Sequence, residues 1–160
     1  MKELTLQIKY AEYSELALVA MPDKQLIEKA REAASKGYAP YSGFQVGAAV
    51  LLENGIIITG NNQENAAYPS GLCAERTAIF YAASQYPAIP ILAIAVSALK
   101  TQSGDFAKPC GACRQAIAEY EDLAQRPIRI ILDGPSTIVI LDSIDALLPL
   151  RFKKEDLRLG

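Results

Sequence analysis

Two short segments hold the groups best able to do chemistry. Cys73-Ala74-Glu75 lies within SGLCAERTA, and Pro109-Cys110-Gly111-Ala112-Cys113 within AKPCGACRQ; together they contain all 3 cysteines of a chain that has 0 histidines. Without imidazole there is no Ser-His-Asp or Cys-His nucleophile, and no carboxylate-histidine support for a metal. Chemistry must then run on carboxylates, thiolates or a metal-activated water. A structural zinc site is closed by four ligands, normally Cys and His, whereas three ligands and an open position make the catalytic arrangement. Glu75, two residues after Cys73, would lie beside such a cation without ligating it, where a carboxylate can relay protons to and from a water. Three thiolates over-neutralise a divalent cation, and hydrogen bonds to sulfur from Arg76 and Gln115 are expected to offset this.

Taken singly, each residue has an ordinary explanation. A lone cysteine in an apolar helix is a small buried hydrophobe. A glutamate in a first turn complements the helix dipole, an arginine is a solvated surface residue, and NNQEN is a turn. C-x-x-C alone would suit a thioredoxin-like redox pair, but that leaves Cys73 and Glu75 unexplained. C-x-E combined with P-C-x-x-C is far more specific than either part.

The elements that must position these residues follow from periodicity and punctuation. LTLQIKY alternates like a strand over 4–10, and DKQLIEKAREAASKG over 23–37 is a helix with Asp23 as N-cap and a glycine stop. YAPYSG is a turn. FQVGAAVLLENGIIITGNN, 44–62, is a hairpin joined by Asn54-Gly55, the dipeptide of a two-residue turn. A polar loop leads to a helix beginning at Cys73. Strand ILAIAVSAL, loop SGDFAKP, helix CGACRQAIAEYEDLAQ, strands PIRIILDG and STIVILD, and a short last helix SIDALLP complete the chain. Helices alternating with apolar strands give an α/β layered fold. Cys73 and Cys110 each fall where a loop becomes a helix, and helix N-termini favour thiolate over thiol.

Composition narrows the function classes. At 160 residues, 51% hydrophobic and a net charge of −2, the chain is expected to form one domain over 1–160, with 1–21 as an N-terminal extension. Its densest basic run, RFKKEDLR at 151–158, is broken by acids, which speaks against a nucleic-acid partner. The longest apolar runs fall far below the roughly 20 residues of a membrane span. The N-terminus lacks the pattern of a secretory signal, so a cytoplasmic location and no membrane association are expected. An odd cysteine count and a reducing compartment argue against disulfides.

The chain closely resembles the small, homotetrameric, zinc-dependent cytidine deaminases. The resemblance rests on YAPYSGFQVGAAV, NNQENAAYPSGLCAERTA, PCGACRQ and LLPLRFKKEDL, and its core is the zinc-deaminase signature in a three-cysteine form. It implies a three-layer α/β/α fold around a central mixed five-stranded sheet. It also implies Zn²⁺ held by Cys73, Cys110 and Cys113, with Glu75 as proton shuttle in the hydrolysis of cytidine and deoxycytidine. Phe44 would pack on the pyrimidine, Asn62 and Glu64 would hold the ribose 3′-hydroxyl, and the backbone of Cys73 and Ala74 would meet the base edge. Ala66 and Tyr68 would approach the 5′-hydroxyl from a neighbouring subunit of a tetramer with shared active sites. Phe152 would close a neighbour's pocket, and Arg76 would bond the thiolates. About twenty residues precede the family's first helix, and ALKTQSGDFAKP is a more polar loop than the pattern has. Rivals with the same chemistry are a deaminase of another aminated pyrimidine or purine and a nucleic-acid editor; Asn62 and Glu64, which suit a free nucleoside, disfavour the editor. A non-catalytic zinc module would have to use Glu75 as its fourth ligand.

Overall fold

The computed structural model of the protein describes residues 1–101 and 105–157. The expected loop at 103–109 and the basic run ending at 158 lie partly outside these residues. The elements are β1 (Ala11–Tyr13), α1 (Asp23–Ala34), β2 (Val46–Leu52), β3 (Ile57–Asn61), α2 (Ala74–Gln85), β4 (Ile91–Ala98), α3 (Gly111–Ala124), β5 (Arg129–Asp133) and β6 (Ile138–Leu141), with short 3-10 turns between some of them.

One mixed sheet runs in the order β1-β6-β5-β4-β2-β3. Only β4 and β5 pair in parallel, as a strand-helix-strand crossover through α3 requires; the other pairings are antiparallel. Side-chain alternation divides the core between the two faces. Ala48, Val50, Ile94, Val96, Ile130 and Leu132 pack with α2 and α3. Ala49, Leu51, Ala93, Ala95 and Ile131 pack with Leu26, Ile27 and Ala30 of α1. Helix α1 fits this face because its buried residues, Leu26, Ile27, Ala30, Ala33 and Ala34, form one stripe at helical spacing.

The layered α/β fold is as expected from the sequence, with local corrections. The sheet has six strands rather than five, the sixth being β1 at the edge. The N-terminal strand is Ala11–Tyr13, not 4–10. Its partner β6 stops at Leu141, so the chain before Ala11 runs past the end of the ladder. Helix α1 has Pro22 as N-cap, with Asp23 already in its first turn. The β2-β3 connection is a three-residue loop rather than a two-residue turn. The Leu52 N–H donates to the Ile56 carbonyl at 2.9 Å, and Gly55 alone takes a positive φ, 84°. That is a type I turn followed by a glycine bulge, which needs one left-handed residue instead of two. SIDALLP supports only a 3-10 turn at Ile144–Ala146, where the Ser143 hydroxyl accepts the Asp145 N–H at 3.1 Å before Pro149 ends any helical run. Among the described residues no helix is long and apolar enough to cross a membrane.

Candidate active site

The reactive groups meet where α2 and α3 begin. Cys73 and Cys110 are the N-caps of the two helices, in extended backbone, and neither side chain caps its own helix. Cys113, in the first turn of α3, is fully buried. The sulfurs of Cys73 and Cys110 stand 3.9 Å apart and those of Cys110 and Cys113 3.5 Å apart, with all three inside 4.8 Å of one another.

This donor set fits zinc. A tetrahedron with each sulfur about 2.3 Å from its centre has edges of about 3.8 Å, close to the spacing found. The electrostatics agree with a site that wants a cation. Proton sharing with Cys113, together with Arg76 and Cys110, brings the Cys73 thiol down to about 5 against the opposing effect of burial. Cys113 is pushed the other way by the same shared proton and by burial. Sulfurs this close cannot all ionise cheaply unless a positive charge lies between them.

Glu75 lies in the first turn of α2 and is only 4% exposed. Burial holds its carboxyl above the ordinary range; its own backbone N–H opposes this and the Cys73 thiolate reinforces it. Arg76 directs Nη2 at the Cys73 sulfur from 3.7 Å, the expected counter-charge. The seating of this helix start depends on Gly60 of β3. A Cβ there would stand 2.5 Å from the Ala78 nitrogen and 2.8 Å from the Ala74 carbonyl oxygen, so only glycine lets α2 lie directly on the strand.

Across the cavity, segments 37–46 and 61–64 are laced together. The Tyr38 N–H donates to the Asn62 carbonyl and the Glu64 N–H to the Tyr38 carbonyl, each at 2.9 Å. The Asn62 side chain accepts from the Val46 N–H at 2.9 Å and donates to the Phe44 carbonyl at 2.8 Å. The Glu64 carboxylate accepts from the Ser42 hydroxyl and from the Tyr41 N–H at 2.9 Å, and these bonds hold its pKa below the usual range. Phe44 is thus fixed through its backbone while its ring stays exposed.

These groups line one cavity of about 610 Å³, within the size range of small-molecule sites. Phe44, Asn62 and Glu64 face Cys73, Glu75 and Cys110 across it. Ser42, Asp105, Phe106 and Lys108 also line it and were not singled out from the sequence. Ser42 adjoins Phe44 in YSGF, a signal that was available; Phe106 and Lys108 were hidden in a loop that looked like a polar excursion. A separate apolar cavity lined by Ala82, Tyr86, Ile89, Tyr120 and Leu123 lies at the opposite ends of α2 and α3, away from the sulfurs.

The remaining expected residues lie elsewhere. Ala74 is buried under the helix start, while Ala66 and Tyr68 are exposed on the loop before Cys73 and do not line this cavity. Phe152 is exposed on the C-terminal segment. Gln115 corrects its expectation: its amide donates to the Phe152 carbonyl at 3.1 Å rather than to a sulfur, since the C-terminal segment lies along α3 there. Arg114, beside it, donates to the carbonyls of Pro109 at 2.9 Å and Leu147 at 2.7 Å, tying the cysteine loop to the same segment.

Comparison with known proteins bears on the whole assembly. A family model described as the cytidine and deoxycytidylate deaminase zinc-binding region matches residues 21–125. A cytidine deaminase of Halalkalibacterium halodurans is 40% identical over 137 residues, covering 86% of this chain and 98% of that protein. The crystal structure of cytidine deaminase from Burkholderia pseudomallei is similar with a TM-score of 0.71 at 39% identity, covering 82% of this chain and 100% of the other. That of cytidine deaminase from Mycobacterium tuberculosis is similar with a TM-score of 0.67 at 32% identity, covering 84% and 99%.

Proposed function

The chain belongs to the cytidine and deoxycytidylate deaminase family, and from that premise we propose how its residues divide the hydrolysis of free cytidine and deoxycytidine to uridine, or deoxyuridine, and ammonia. Zinc-dependent cytidine deamination is the activity, and zinc is the cofactor. The observation that carries the division of roles is the arrangement around one cavity. Three sulfurs from two helix starts converge beside a buried carboxyl, facing an aromatic and a fixed carboxylate.

Cys73, Cys110 and Cys113 hold the metal, and Arg76 tempers the charge of the Cys73 thiolate. Zinc held there supplies the Lewis acidity that makes a water nucleophilic near neutral pH. Glu75 takes the proton of the attacking water as the new carbon-oxygen bond forms at carbon 4 of the base. It gives that proton to ring nitrogen 3, which makes the carbon electrophilic, then takes the second proton from the new carbon-4 hydroxyl and delivers it to the exocyclic nitrogen as the carbon-nitrogen bond breaks, leaving the carbonyl of uridine and releasing ammonia. A buried carboxyl with a raised pKa suits such a shuttle, because its charged and neutral forms lie close in energy. Phe44 stacks on the pyrimidine, and the backbone at Cys73 and Ala74 meets its edge. Asn62 and Glu64 bind the ribose 3′-hydroxyl; a carboxylate already held as an anion by Ser42 repels a 3′-phosphate and so selects a nucleoside over a polynucleotide.

The proposal extends to an assembly. Ala66, Tyr68 and Phe152 are exposed away from their own cavity, where they can serve a neighbour's, and α2 leaves Phe80 and Tyr81 exposed. Such apolar surface suits subunit contact, and the reading is a homotetramer with shared active sites, without nucleic-acid or membrane partners. Three thiols that can ligate zinc only while reduced suit a reducing cytoplasm, and deamination of a free nucleoside suits a role in pyrimidine salvage. The test is the ultraviolet absorbance change of cytidine with zinc-loaded protein, beside Glu75→Gln at equal zinc content. Turnover by the parent alone supports the assignment; turnover by both variants removes Glu75 from it.

A further inference from the structure

The first ten residues belong to no element, yet their pattern is that of a strand. Leu4, Leu6, Ile8 and Tyr10 are 82%, 63%, 50% and 57% exposed. In an extended chain they share one side, and Glu3, Thr5, Gln7 and Lys9 share the other. The segment runs directly into β1, which forms the edge of the sheet and pairs only with β6. Four consecutive alternate apolar side chains leading from an open edge are what soluble proteins normally cover or interrupt with charge. The family match begins at residue 21, so this arm lies outside the part that carries the deaminase site.

The arm is complementary to its own reverse. Laid antiparallel about Leu6, a second copy brings Leu6 against Leu6, Leu4 against Ile8 and Thr5 against Gln7. The same register sets Glu3 against Lys9 at both ends, two opposite-charge pairs related by the two-fold axis. A slip of two residues keeps the apolar side but loses both pairs, so the charges fix the register. An isolated two-stranded ribbon is marginal. This one would grow from a strand already tied to a six-stranded sheet, with Tyr13 packed against the core under β6.

We infer that residues 2–10 are a self-pairing arm that joins two copies of this chain edge to edge through an antiparallel ribbon centred on Leu6. This contact is separate from the subunit contacts that complete the deaminase cavity and does not depend on them. The arm's occupant is therefore a second arm, and catalysis per site is unaffected by its removal.

The experiment uses the full zinc-loaded chain. Leu6→Cys should form a two-chain disulfide under mild oxidation, since directly opposed residues lie within bridging distance in either kind of antiparallel pair. Leu4→Cys alone should not, because the register holds it about 13 Å from its counterpart, whereas a mixture of Leu4→Cys and Ile8→Cys chains should cross-link. In sedimentation at low salt, Glu3→Lys and Lys9→Glu should each raise the dissociation constant of the arm contact about tenfold. The double reversal should restore it, all with cytidine turnover per site unchanged. No cross-link from Leu6→Cys, equal cross-linking from Leu4→Cys, or a double reversal no better than the singles would overturn the inference. Loss of turnover in the arm variants alone would overturn the arm's independence of the cavity, whereas absence of turnover in the parent chain, with the cross-link still formed, would instead strike at the active-site assignment.

Discussion

Two buried glutamates show how differently the same side chain is treated in two parts of the molecule. Glu121, on α3, is 6% exposed, and its carboxylate is surrounded by fixed donors. It accepts from the Ile128 N–H at 2.8 Å, the Ile144 N–H at 3.1 Å and the Ser143 hydroxyl at 2.7 Å, with the Arg151 guanidinium 4.0 Å away. It therefore stitches α3 to the start of β5 and to the turn after β6. Glu75 is as deeply buried, but burial itself and the Cys73 thiolate raise its pKa, and only its own helix-start N–H, the Cys113 thiol and the charge of Arg76 oppose them. Burial alone does not distinguish a structural carboxylate from a reactive one. The supply of donors does, because an ion deprived of them is left close to its neutral form and ready to exchange a proton.

The sharpest way to break this contrast is to remove each charge in turn. Glu75→Gln should lower turnover by at least about 10²-fold to 10⁴-fold with zinc content and fold retained, as measured by steady-state kinetics and metal analysis. Glu121→Ala should do the opposite. It should leave turnover per folded site unchanged but cost about 3 kcal/mol of stability in denaturant titration, because buried donors and Arg151 lose their acceptor. A smaller effect tests the sign. The raised pKa of Glu75 means that the folded state binds its proton more tightly than the unfolded state, so stability falls as pH rises from the ordinary carboxylate range towards the raised value. Glu75→Gln lacks this loss, so in chelator-treated protein it should melt above the parent, by a margin that grows with pH across that window. Smallest of all, Glu53, exposed and paired with Arg126 at 2.7 Å, should shift stability by less than about 0.5 kcal/mol when changed to Ala.

How much of this was legible in the sequence depended on whether the signal was local. Cys73, Glu75, Cys110 and Cys113 declare themselves because the chemistry fixes their spacing on two helix starts; the structure puts Cys73, Glu75 and Cys110 on the wall of one cavity and the Cys113 sulfur, buried behind it, within 4.8 Å of the other two sulfurs. The layers were legible from alternation, since β2 and β4 divide their side chains between two apolar cores. What failed depended on distant partners. LTLQIKY has strand chemistry, but whether it pairs is decided by where β6 ends, some 130 residues later. Gln115 was assigned to the sulfurs by its nearness in sequence, whereas the C-terminal segment, which no local pattern could place, claims its amide. Glu121 carried no motif; its three donors come from just before β5 and from beyond β6.

The absence of a side chain at Gly60 also has a consequence for anyone mapping this enzyme by mutation. The helix that presents Cys73 and Glu75 rests on that one hydrogen, with backbone atoms of Ala74 and Ala78 directly above it. A methyl group there would lift the first turn of α2 and with it a metal ligand and the proton shuttle, though position 60 touches neither. In an activity screen that residue would score alongside the residues of the cavity. The site's tolerance to drift is set as much by an invisible contact in the floor beneath it as by the groups that face the substrate.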